Sequence, residues 1–165
     1  MATSAAVPPY QLGRALKTIL QAGILAGVLD GLDAALFIGV ASGIPVIRVF
    51  QFIASGLLGI GAFHGGWATA ILGVGLHFSI AIGAADVFYA LSVKLPMLSR
   101  RPALWGPVYG IGVFLFMHYL VVPLSAAPRQ PPASVHALAN LIFSHIFFVG
   151  LPIAWVTSRR QSRQD

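Results

Sequence analysis

The chain has 165 residues, of which 58% are hydrophobic and 8% charged, and its mean hydropathy is +0.87. A soluble domain carries about 25% charged residues, so this composition excludes a soluble globular domain and places the chain in a membrane. The net charge of +6 is no nucleic-acid signal, because the basic residues gather at the ends of apolar segments, and the absence of cysteine excludes disulfides and thiolate metal sites.

A bilayer core about 30 Å thick needs about 20 apolar residues as helix. The N-terminal stretch lacks the order of a signal peptide: Arg14 and Lys17 precede an apolar run much longer than an h-region, with no Ala-x-Ala site closing it. Residues 16–40 therefore read as a retained first span, carrying Gly23, Gly27, Gly31, Ala35 and Gly39 at four-residue spacing. Residues 44–61 follow, opening at Pro45 and holding Arg48, Gln51 and Ser55 among apolar neighbours. The second span covers residues 67–93, with Gly65, Thr69, Gly73, Ala81 and Ala85 on one row that His77 completes. The third covers residues 104–124, with Gly106 and Gly110. A proline-rich outer loop, residues 125–134, precedes the last span at residues 135–157. Small residues at four-residue spacing let helix backbones approach closely, and so predict compact packing or association with a second copy or a larger membrane complex. Trp67, Trp105 and Trp155 fall at the ends of these spans, where an aromatic belt would place them.

Charge decides the topology. With four spans and a cytoplasmic N-terminus, Arg14, Lys17, Lys94, Arg100, Arg101, Arg159, Arg160 and Arg163 lie inside, and only Arg48 and Arg129 outside. A fifth span at residues 44–61 would carry Lys94, Arg100 and Arg101 to the side opposite Arg14 and Lys17, against the positive-inside rule. The expected fold is thus an all-α integral membrane protein. It is a four-transmembrane-helix bundle, forming a single domain, with an interfacial or re-entrant helix after the first span and both termini cytoplasmic.

Ionisable groups inside spans are costly and mark candidate sites. Counted at 1.5 Å per residue from the cytoplasmic end of each span, Asp30, Asp33, His77, His118 and His145 lie roughly 20, 25, 24, 21 and 18 Å deep. Five groups from four helices thus share one layer, with Ser79, Asn140 and Ser144 in the same zone. Asp86 stands apart, about 10 Å from the cytoplasmic edge, with Tyr89 one turn on as a candidate partner. Pro123 and Pro152 free the carbonyls of Tyr119 and Phe148, and such gaps often line cavities.

Several readings of this layer stay open. Histidine titrates near neutral pH and aspartate–histidine chains build membrane proton paths, which favours proton- or ion-linked transport or sensing. A divalent metal held by His77, His118 and His145 is a weaker reading, since no HxxxH spacing is present. A b-type haem between His118 and His145 is weaker still, because close-packed glycine rows leave little room. The remaining reading is a structural or accessory membrane subunit whose polar layer only specifies packing. His64 and His136 fall near the outer interface, where solvation explains them. The Gly-x-Gly pairs lack phosphate-loop context, and no catalytic motif supports an enzyme.

The second half resembles the YagU-like family of small multi-pass bacterial inner-membrane proteins. The resemblance rests on His77-Phe78-Ser79, Leu104-Trp105 opening a span, His118 followed by Pro123-Leu124, and His145 in an aromatic last span ending in basic residues. It implies an inner-membrane location, and no settled activity.

Overall fold

The computed structural model describes residues 9–41, 43–129 and 134–161, so residues 1–8, the centre of the proline-rich loop and Arg163 lie outside the described part. Every element among the described residues is helical. Helix α1 (Pro9–Asp33) passes into a π-helical segment, Ala34–Ala41. After α2 (Val46–Leu58) and a 3-10 turn (Gly59–His64) comes α3 (Gly66–Lys94), the longest helix. A short α4 (Met97–Arg100) leads to α5 (Pro102–Phe116), a π turn (Met117–Val121) and α6 (Val122–Leu124). The last rod is α7 (Val135–Ser144), a π turn (His145–Gly150) and α8 (Leu151–Gln161).

Five helical stretches are long and apolar enough to cross a membrane: Leu12–Phe37, Val46–His64, Gly66–Lys94, Pro102–Leu124 and Val135–Arg160. Their large apolar side chains point outward, as Leu16, Ile24, Ile71, Val87, Leu115 and Phe147 do. The centre is built instead from Ala22, Ala26, Ala85, Ala154, Ile153 and Phe88. Lipid solvates leucine as well as protein does, so helices in a bilayer gain by close backbone approach, and small residues line the contacts.

Those contacts set the helix directions. Gly23 lies against Ile82, Gly27 against Phe78 and Gly31 against His77, so α1 and α3 run antiparallel. Gly106 meets Leu151 and Gly110 meets His145 and Ile146, so α5 and the last rod are antiparallel too. A Cβ on Gly110 would overlap the His145 carbonyl, and one on Gly150 the Gly106 carbonyl. The glycine rows are therefore spent inside the chain. Gly75, Gly83 and Gly112 are the exceptions, with open space where a Cβ would stand.

The stretch Val46–His64 is not one straight rod. Its α-helix is 13 residues long and stops at Gly59, whose φ of +60° suits glycine. The 3-10 turn then folds back, so that Arg48 Nη1 donates to the Phe63 carbonyl at 2.8 Å. Every anchor of α2 lies at one end of the bundle. Val46 packs on Gly39, Gln51 Nε2 donates to the Gly66 carbonyl at 3.0 Å, and Ala126 N donates to the Gly56 carbonyl at 3.0 Å. Its deepest contact is Phe50, whose carbonyl lies on Gly73 and whose ring is 6.4 Å from that of His77.

Two of the three π segments have a common cause. Val122 N donates to the Met117 carbonyl and Leu151 N to the Ile146 carbonyl, each five residues back, and the next residue is Pro123 or Pro152. A proline ring collides with the carbonyl four residues before it, and widening the turn relieves that collision. The segment Ala34–Ala41 contains no proline, and nothing in its sequence accounts for its π geometry.

Candidate functional site

Asp30 and Asp33 are three residues apart on α1 and so about 60° apart around its axis. Both face α7. Ser144 Oγ donates to Asp30 Oδ1 at 2.5 Å, and Asn140 Nδ2 donates to Asp33 Oδ2 at 2.8 Å. Ser144 and Asn140 are four residues apart and share a face of α7, so two side-chain bonds tie two turns of one helix to another. Ser144 is buried and both aspartates are half-buried. A 2.5 Å O–H···O contact belongs to the charge-assisted class.

This clasp sits where helical geometry changes. Asp33 closes α1 immediately before the first π segment, and Ser144 closes α7 immediately before the third. Single π turns inside α-helices occur frequently at functional positions.

The histidines do not join the carboxylates. His77 Nε2 lies 2.8 Å from the Gly27 carbonyl, which can only accept, so Nε2 carries the proton. Gly31 makes room for it, since a Cβ there would stand 3.2 Å from Nε2. Phe50 and Phe78 enclose the ring edge-on at 6.4 and 5.6 Å. His145 Nδ1 donates to its own helix, to the Leu141 carbonyl at 2.8 Å. His118 is exposed and stacks on Phe114 at 5.4 Å. Phe114 also meets His145 edge-on at 5.7 Å, which puts a phenyl ring between the two imidazoles.

These positions correct three expectations. Among the described residues no group of three or more His, Cys, Asp or Glu side chains could hold a metal ion, so His77, His118 and His145 do not form a metal site. Equal depth did not bring them together because each helix turns its histidine toward a different neighbour. The residues also do not fit a b-type haem, because Phe114 fills the space between His118 and His145 and Gly110 presses on the His145 backbone. Asp86 is exposed and makes no hydrogen bond with Tyr89 among the described residues. Ser79, in the same zone, donates to its own helix at Gly75 (2.8 Å) and faces outward. His64 and His136 are both exposed.

Three polar features were not anticipated. Tyr109 Oη donates to the Ala84 carbonyl at 2.6 Å and ties α5 to α3. Arg160 Nη2 donates to Gln21 Oε1 at 2.6 Å across α8 and α1. Gln51 is 2% exposed, with its Oε1 buried and unpartnered among the described residues. A glutamine inside an amphipathic apolar run was the available signal for the last of these.

No family model matches the chain, and neither the curated proteins nor the solved structures give a match.

Proposed function

We propose that the chain is a four-span protein of the bacterial inner membrane with both termini cytoplasmic. In this reading Asp30 and Asp33 give it a proton-linked or ion-linked transport or sensing function. The observation that carries it is the double bond from α7 to the two carboxylates at the α-to-π junctions of two spans. An ionised carboxylate only accepts, so Ser144 and Asn140 both donate into it. Adding a proton to Asp30 turns one acceptor into a donor and opposes the Ser144 hydroxyl. Ser144 can then bond back to the carbonyl four residues earlier, at Asn140, freeing α7 from α1. Protonation thereby becomes a change in helix contact, which a transporter or a sensor needs.

The four-span count is supported by the eight-to-two charge split and by the anchors of α2, all at one end of the bundle. The YagU-like resemblance belongs to the same proposal and supports location only. Association with a second copy is supported by the outward row Gly75, Ser79 and Gly83 on α3.

Vesicles containing the purified protein and a trapped pH dye test the reading. Wild type should dissipate an imposed pH gradient faster than empty vesicles, and Asp30→Asn with Asp33→Asn should lose at least tenfold of that rate. Equal rates in wild type, variant and empty vesicles would sink it. One observation favours the accessory-subunit reading: His77, His145 and both aspartates find partners within the chain. Under that reading the double variant melts earlier and no flux is seen at any pH.

A further inference from the structure

At the cytoplasmic end, α1 and α8 meet through Ala22, Ala26, Ile153 and Ala154. Beside that contact lies an open groove of about 330 Å³, lined by Gln21, Leu25, Val156, Arg159 and Arg160. Its volume is that of a small-molecule site. Its walls divide by chemistry: two guanidinium groups and an amide toward the helix end, two aliphatic side chains toward the bilayer. No carboxylate lines it.

The arginines are held rather than free-swinging. Arg160 is fixed by its bond to Gln21 Oε1, which occupies one of five N–H donors. Arg159 lies over the Trp155 ring, 5.2 Å from its centroid. Interfacial arginines orient a span wherever they sit. These two differ in sharing one concavity with an apolar floor and no counter-charge.

We propose that this groove binds an anionic phospholipid, the phosphate on Arg159 and Arg160 and the upper acyl chain along Leu25 and Val156. Guanidinium groups match phosphate oxygens through paired N–H donors. Basic pockets between spans on the cytoplasmic side suit anionic headgroups. The proposal rests on the membrane placement given above and is independent of the Asp30/Asp33 clasp.

Trp155 supplies the readout in a protein whose other tryptophans are replaced, Trp67→Phe and Trp105→Phe. The full chain is reconstituted in phosphatidylcholine vesicles containing either phosphatidylglycerol or phosphatidylcholine brominated close to the headgroup. Brominated phosphatidylglycerol should quench Trp155 preferentially, by about fivefold for each arginine engaged. Arg159→Gln should lower that preference by about fivefold. The unsubstituted groove should lose preference as ionic strength rises, which reads the charge without altering the fold. Equal quenching by both lipids overturns the proposal and leaves the membrane placement intact. Quenching by neither overturns both. Loss of the preference on adding inorganic phosphate assigns the groove to a soluble phosphate and overturns the lipid.

Discussion

Ser144 and Asn140 approach Asp30 and Asp33 from residues 114 and 107 positions away in the chain. Hydrogen bonds between membrane helices contribute modestly, about 0.6 kcal/mol on average and up to about 1.7. A double-mutant cycle on Asp30→Ala and Ser144→Ala should therefore give a coupling of about 1 kcal/mol in detergent unfolding. A coupling near zero would mean that the two side chains do not meet. The depth of these groups was legible in the sequence, since it depends only on rise per residue along each span. Their partners were not. Depth alone grouped five ionisable residues, but His77 turns to the Gly27 carbonyl and His145 to Leu141. Only the aspartates were left for α7.

At the scale of elements, glycine spacing identified helices that pack closely without saying which glycines face which helix. Gly110 and Gly112 are two residues apart on α5, yet only Gly110 touches the last rod. Gly110→Ala should cost about 1–3 kcal/mol in thermal unfolding, because the methyl group meets backbone that cannot rotate away. Gly112→Ala should stay within about 0.5 kcal/mol of wild type. Equal losses at both would contradict the packing. The prolines were equally informative in part: Pro123 and Pro152 marked disturbed turns, and both turns are π-helical. The segment Ala34–Ala41 carries no such mark.

For the whole molecule, the cysteine-free sequence makes topology directly testable. Ile44→Cys and Gly61→Cys flank α2. A membrane-impermeant thiol reagent added outside intact cells should label both if α2 stays at the outer surface. A helix that crossed the bilayer would leave one of them unlabelled. Val46–His64 satisfies length and hydropathy for a span as well as the other four stretches do. The charge count and the fold-back at Gly59 argue for the outer surface, by different physics.

The sequence by itself determined the solvent, the extent of the apolar helices and the depth of every polar group in them. Those properties add up residue by residue along one segment, through hydropathy and helical rise. Only the tertiary structure decided that Asp30 and Asp33 bind α7, that His77 serves α1 and that His118 and His145 sit apart from both. That choice depends on how far each helix is rotated about its own axis. The rotation is set by contacts such as Gly27 with Phe78 and Gly110 with His145, between residues distant in sequence. No periodicity within a single span records it.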